Sequence, residues 1–338
     1  MTNPMEPALR YCLGGLSILA ATPVWWFLLN RALNPLRVLR IKHMELSERP
    51  YPVFAGCLRI GTFNIAHGRG PGPYEKKREI LAKEDVRNRL QQIAELLHGE
   101  NLDVVVLNEV DFDSVWSGHL NQAEFIAREA GFSFWAEQRN IDIAIPFARM
   151  RYGNALLSRY PLVAARRLPF AGHRALETLL VGKKQGLLCT IKLSGACSVR
   201  VLAVHLEHRL ESTRLRAAKM IEEVRKESSL PLIAAGDFNS APVNFPFATP
   251  DTSGETAVSW LLARGAYQTL PIGEPTQDDL TYYSLRPSAV IDWILVPEGW
   301  RINSKTTVNR PLSDHKAVVM EVEVDGRHGT DERHTQGV

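Results

Sequence analysis

From Cys57 to Val324, short apolar runs alternate with amphipathic stretches. Leu58-Arg59-Ile60-Gly61-Thr62-Phe63-Asn64-Ile65 reads as a strand ending in a polar residue, and Asp103 to Leu107 as a buried strand ending at Asn108-Glu109. Val86, Leu90, Ile93 and Leu97 recur at helical spacing, predicting a helix over Lys83–Leu97, and Gln122 to Ala130 has the same character. Gly153 to Leu157 and Gly186 to Leu193 read as strands. Val199 to Leu206 follows as a hairpin partner across Ser194-Gly195. Thr213 to Lys226 predicts a second long amphipathic helix, and Leu232 to Ala235 a strand that runs into Gly236-Asp237-Phe238-Asn239. Val290 to Val296 and Ala317 to Val324 are the last predicted strands. Hairpins and helical crossovers in one chain argue for an α/β or α+β sheet-rich domain rather than a purely parallel sheet. No internal repeat or low-complexity tract is visible.

The N-terminus breaks this rhythm. Tyr11 to Asn30 is an uncharged run of 20 residues. As a helix it would span about 30 Å, the thickness of a bilayer core. Trp25 and Trp26 sit near its end, where aromatic side chains favour the membrane interface. Residues 1–33 are therefore read as a hydrophobic helix acting as a single-pass anchor. A helix packed on the domain and a cleaved signal peptide are the alternatives. Arg31, Arg37, Arg40 and Lys42 follow the run and only Arg10 precedes it, which places the following domain in the cytoplasm. Residues 34–56, with Pro35, Pro50, Pro52 and Gly56, read as a linker, residues 57–325 as the main domain and 326–338 as a polar tail.

Charge sharpens this division. The 338-residue chain has 40 Lys+Arg and 37 Asp+Glu, a net of +3. The whole excess lies in residues 1–50, which hold six basic and three acidic side chains; the remainder carries 34 of each sign. A charge-balanced domain is not a wrapper of phosphate backbones. The composition, 45% hydrophobic and 23% charged, excludes disorder as the main state. Four scattered cysteines, Cys12, Cys57, Cys189 and Cys197, form no CxxC pair and argue against a zinc ribbon. They fit a reducing compartment.

The candidate chemistry lies at strand ends. Asn64, Glu109, His205, Asp237 with Asn239, and Asp314 with His315 all follow apolar runs. If these ends converge, carboxylates, amides and imidazoles form one site. Oxygen-rich ligands without cysteine select a hard cation, Mg²⁺ or Mn²⁺. Such a cation suits a phosphate ester, whose charge it neutralises.

The motifs come as Thr62-Phe63-Asn64-Ile65, Leu107-Asn108-Glu109-Val110-Asp111, Gly153-Asn154-Ala155-Leu156-Leu157-Ser158-Arg159-Tyr160-Pro161, Val204-His205-Leu206, Gly236-Asp237-Phe238-Asn239, Ile291-Asp292-Trp293-Ile294 and Ser313-Asp314-His315. In this order the chain resembles the endonuclease/exonuclease/phosphatase superfamily, which includes deoxyribonuclease I, exonuclease III-type nucleases and neutral sphingomyelinases. The resemblance covers about residues 58–324. It implies a four-layer α/β sandwich of two packed mixed sheets flanked by helices, with the site at one end. It further implies that Glu109 is the principal metal carboxylate, helped by Asn64 and completed by Asp314. Asp237 would position and activate the attacking water, and Asn239 would bond a phosphate oxygen. His205 and His315 would flank the phosphate, with Asp292 orienting His315. Whether Asp237 or His315 is the base stays open.

Two departures from that pattern stand out. Asn108 occupies a position where the family usually has Gln, one methylene longer. Glu177 is the nearest candidate for a carboxylate partner of His205. His67, just past the metal strand, reads by default as a solvated loop residue, with contact to substrate the alternative; Asp111 reads as readily as a turn cap as a residue tuning the site. Arg214 and Arg216 read by default as a solvated helical face. Gly68-Arg69-Gly70-Pro71-Gly72-Pro73 is no phosphate-cradling P-loop, since no Lys-Ser/Thr follows.

The expectation is a Mg²⁺- or Mn²⁺-dependent phosphodiester hydrolase using in-line attack of water. Its substrate would be a nucleic acid or, with the anchor holding the site at a bilayer, a phospholipid or sphingomyelin headgroup. A catalytically inert tethered module is the remaining reading. No obligate protein partner is called for.

Overall fold

Two strand–helix–strand units make the centres of two sheets. The computed structural model describes residues 22, 24–29, 32, 39–43, 52–72, 81–145, 148–170 and 184–325. Among them, one sheet has the spatial order β1 (Leu39–His43), β4 (Phe134–Ile145), β5 (Ala148–Ser158), β3 (Val104–Asp111), β2 (Cys57–Asn64), β13 (Val318–Glu323), β12 (Arg301–Thr307). The other runs β10 (Tyr267–Gln268), β11 (Asp292–Pro297), β9 (Leu232–Asp237), β8 (Ser198–His205), β7 (Gln185–Lys192), β6 (Leu162–Pro169). Among the described strands, β2–β3 and β8–β9 pair in parallel and the other pairs are antiparallel. A parallel pair needs a crossover. Helix α1 (Lys83–Gly99) supplies one and α3 (Glu211–Lys226) the other. Helices α2 (Gln122–Ala130) and α4 (Ala257–Leu262) complete the outer layers.

Alternation along the central strands sorts the core into three slabs. Leu58, Ile60, Val104, Val106, Ile233 and Ala235 meet between the sheets. Phe63, Val105 and Leu107 face the other way, against Val86, Leu90 and Ile93 of α1. On the far side, Leu202, Val204 and Ala234 pack with Leu215, Ala218 and Ile221 of α3. The result is the expected sandwich of two mixed sheets between helical layers.

Several elements escaped the sequence reading. The stretch read as a linker contains β1, which pairs antiparallel with Phe134–Gln138, and Lys42 Nζ lies 2.9 Å from Glu137 Oε1. Strand β4 was hidden because its polar residues Glu137, Gln138, Arg139, Asn140 and Asp142 are buried. Several pair with one another: Arg139 contacts Glu137 at 3.1 Å and Asp142 at 2.7 Å. Burial of paired polar groups leaves no apolar alternation to read.

Most of residues 11–30 lies outside the described residues. Residues 24–29 are helical, with Trp25 exposed and Trp26 Nε1 donating to Ala144 O at 2.5 Å. No described helix is long and apolar enough to cross a membrane. Glu177 also lies outside the described residues.

Candidate active site

Strand direction assembles the site. The C-terminal ends of β2 and β3 point the same way, with Asn64 opposite Asn108, and so do those of β8 and β9, with His205 opposite Asp237. The antiparallel neighbours begin where these end: Asp292 opens β11 opposite Asp237, and Val318 of β13 pairs with Thr62, which brings Ser313-Asp314-His315 to the same edge. Polar side chains at strand ends therefore meet across both sheets.

The sheets are stitched together there by amides. Asn64 Nδ2 donates to Asp237 Oδ2 at 3.1 Å. Asn108 Nδ2 donates to Asn154 Oδ1 at 2.9 Å and to Val204 O at 3.0 Å, while its Oδ1 accepts the Asp237 N–H at 2.9 Å. Both asparagines are fully buried. Despite being one methylene shorter than the residue expected, Asn108 spans from β3 to β8 and β9. Gly236 permits this close approach. Its φ is +144°, and a Cβ there would lie 1.9 Å from Val204 O.

Asp237 is the hub. Its Oδ1 accepts the Asn239 N–H at 2.9 Å, and its Oδ2 lies 3.6 Å from His205 Nε2 and 3.9 Å from His315 Nε2. His315 Nδ1 bonds Asp292 Oδ2 at 2.8 Å. Asn239 sits at φ +50°, its side chain donating to Leu206 O at 3.1 Å. Glu109 also has positive φ, +51°, at an irregularity in the β3–β5 register between Leu107 and Val110. That bulge turns its carboxylate outward, where it is 24% exposed and 3.9 Å from His205 Nε2. Asp314 is buried beside them. Its Oδ1 accepts the Ser313 hydroxyl at 3.2 Å, and its carbonyl accepts the Ser284 N–H at 2.7 Å.

The charges are strongly coupled. Burial, helped by the Asp292 and Glu109 charges and opposed by His315 and Lys184, pushes Asp237 up to about 6. Burial works against a charged His315, but Asp292 and Asp237, with Asp314 behind them, raise it to about 10. Burial and then Lys184 hold His205 well below the ordinary histidine range.

Among the described residues, Asp237, Asp292 and His315, all buried, bring ligand-type atoms within 4.8 Å of one another. The 2.8 Å bond between Asp292 and His315 and the amides on both Asp237 oxygens already engage those atoms. Within the trio Asp292 and His315 are bonded to each other, while Asp237 Oδ2 stands 3.9 Å from His315 Nε2. Glu109 stands at the open rim, 24% exposed, at the same edge as Asn64 and Asp314, the residues that the resemblance implies would hold a metal. Glu109, Asn64 and Asp314 offer oxygen donors and no thiolate, a set whose chemistry fits a hard divalent cation.

Sequence reading missed Lys184 and Tyr282. Lys184 Nζ lies 2.5 Å from His205 Nε2, at the entry to β7, and the Tyr282 ring centroid is 4.8 Å from that of His315. A lone lysine and a tyrosine away from any motif carry no signal of this kind. The solvated reading of Arg214 is corrected. It is 2% exposed, bonded to Glu211 at 2.5 and 2.8 Å, to Glu207 O and to Thr249. Glu211 in turn accepts from the Ser240 hydroxyl at 2.8 Å and the Ala257 N–H at 2.6 Å, bracing the loop behind Asn239. His67, one turn beyond Asn64, is no solvated loop residue: Nδ1 lies 2.9 Å from Asp111 Oδ1 and Nε2 3.7 Å from Glu109 Oε2.

Solved structures share this architecture at low sequence identity. An endonuclease/exonuclease/phosphatase from Beutenbergia cavernae DSM 12333 aligns with a TM-score of 0.57 and 20% identity, over 79% of this chain and 72% of its own. A mannosyl-6-phosphatase from Bacteroides thetaiotaomicron VPI-5482 gives 0.54 and 14%, over 78% and 99%. The human Nocturnin catalytic domain, solved with a bound sulfate, gives 0.53 and 16%, over 84% and 96%. No curated protein matches the sequence. The model of the Endonuclease/Exonuclease/phosphatase family matches residues 61–315, a span that runs from β2 to His315 and takes in every strand end described above. On that match, the chain belongs to the Endonuclease/Exonuclease/phosphatase family.

Proposed function

We propose that the protein is a divalent-metal-dependent phosphodiester hydrolase that cleaves by in-line attack of water. The observation that carries this reading is Asp237, held by Asn64 and the Asn239 N–H between the imidazoles of His205 and His315, with Glu109 at the open rim. A Mg²⁺ or Mn²⁺ ion held by Glu109, Asn64 and Asp314 would neutralise charge on the phosphate.

The chain's own groups do the rest. With both oxygens accepting amide hydrogens, Asp237 is fixed as an acceptor and takes the proton of the attacking water. Asp292 sets the His315 ring, which presents Nε2 to the reacting phosphate and stabilises its charge. His205 and Lys184 form the opposite wall, and the Asn239 amide supports a phosphate oxygen.

Hydrolysis of bis-p-nitrophenyl phosphate with added Mg²⁺ or Mn²⁺ tests this reading. No turnover in the wild type, or equal turnover in Asp237→Ala, would remove it. A second reading, release of phospholipid or sphingomyelin headgroups, is favoured by the uncharged Tyr11–Asn30 run beside a charge-balanced domain. Plasmid nicking and headgroup release assayed on one preparation decide between them. Comparing membrane fractionation of the full chain with a chain starting at Pro50 tests the anchor, and equal solubility would remove it.

A further inference from the structure

Beside Glu109 lies a second histidine–aspartate pair that the proposed hydrolysis does not use. Asp111 is fully buried and receives the Trp116 indole N–H on Oδ2 at 2.9 Å and His67 Nδ1 on Oδ1 at 2.9 Å. A carboxylate that accepts on both oxygens puts the His67 proton on Nδ1. The opposite nitrogen, Nε2, then turns a lone pair toward Glu109 Oε2, 3.7 Å away. Two bonds of about 2.1 Å to one ion, opened by about 90–120°, separate their donors by roughly 3.0–3.7 Å. The pair sits at the wide end of that range.

The local backbone is built to hold this arrangement. Ala66, His67 and Glu109 all have positive φ, +46°, +58° and +51°. Left-handed conformations of non-glycine residues cost energy and persist only where the surroundings over-determine them. Gln122 supplies that constraint on both sides, donating Nε2 to His67 O at 2.7 Å and accepting the Asp111 N–H on Oε1 at 2.9 Å. The rings of Trp116 and Tyr152 stand edge-on to the imidazole, with centroids 6.3 and 5.4 Å away. A solvated loop histidine would need none of this. An imidazole whose far N–H is fixed by a buried carboxylate is the arrangement that metal-binding histidines adopt.

We propose that His67 is a metal ligand, sharing with Glu109 a divalent ion on the Asp111 side of the carboxylate. The inference rests on the metal-dependent reading above and deepens it. Because imidazole is a softer donor than carboxylate or water, the site prefers Mn²⁺ over Mg²⁺.

The test uses Mn²⁺ with the full chain. Titration followed by electron paramagnetic resonance of free Mn²⁺ gives affinity, and pulsed measurement of the bound ion reads ¹⁴N coupling from an attached imidazole. The wild type shows that coupling. His67→Asn loses it, with affinity lowered about tenfold or more and Mg²⁺ affinity, read by competition, lowered less. His205→Asn keeps the coupling. Bound Mn²⁺ without ¹⁴N coupling in the wild type, or coupling that survives in His67→Asn, overturns the assignment while leaving the hydrolase reading intact. Absence of Mn²⁺ binding in the wild type overturns both. Should His67→Asn fail to fold, Asp111→Asn serves: coupling retained with about tenfold weaker binding is expected, and unchanged affinity counts against the proposal.

Discussion

In the proposed mechanism Asp292 works by holding His315, whose Nδ1 it meets at 2.8 Å, and its charge also helps raise Asp237. Asp292→Asn keeps the shape but removes the charge that favours a protonated ring. We expect kcat to fall by about 10²–10⁴ with KM little changed. Steady-state kinetics on bis-p-nitrophenyl phosphate check this, and a loss under threefold would refute the role. Asn108 is a different kind of residue, tying β3 to β5, β8 and β9 through one amide. Asn108→Leu leaves the Asp237 N–H and the Asn154 Oδ1 it served without that partner. Each such loss costs about 1–3 kcal/mol, so urea denaturation should show a clear drop in midpoint. Which partners the shorter amide reaches was beyond the sequence, because that depends on how closely β3 approaches β8 and β9.

At the scale of elements, β9 depends on having no side chain at Gly236. Gly236→Ala places a methyl against Val204 O, so it forces β8 and β9 apart. A loss of about 1–3 kcal/mol or more is expected, together with impaired catalysis as Asp237 moves. Native-like unfolding and turnover in that variant would contradict the geometry. The edge pair β1–β4 makes a prediction about pH. Burial alone would raise Glu137, but hydrogen bonds from Asn121 and Lys42 and the Arg139 charge outweigh it and hold the carboxyl below its ordinary 4.5. A folded value below the unfolded one means the stabilisation is fully present above about pH 4.5 and is lost as pH falls through the folded value. Chemical denaturation across pH 7 to 3 should show this acid loss, and Glu137→Gln should flatten it.

At the scale of the molecule, the two crossover units place four strand ends at one edge of the sandwich. Any ion that binds only the folded site must stabilise it by mass action, by about 2.7 kcal/mol at a hundredfold excess over Kd. Thermal melts with Mn²⁺ against a chelator should therefore separate. Coincident melts would mean that the carboxylates at the rim hold no ion.

Apolar spacing along α1, β2, β3, β8 and β9 was sufficient to place the central elements, since burial on one face imposes its period on the chain. The motif residues at their ends were equally visible, since a polar group directly after an apolar run is conspicuous in one dimension. Strand β4, with its mutually paired buried polar residues, and β1, inside a stretch rich in turn formers, could not be read that way. Nor could the neighbours of the site. Lys184 meets His205 across 21 positions and His67 meets Asp111 across 44. Local sequence determined which groups stand at strand ends. The direction of the strands, parallel at the centre and antiparallel outside, decided which of those ends meet, because pairing between distant segments is a property of the folded chain alone.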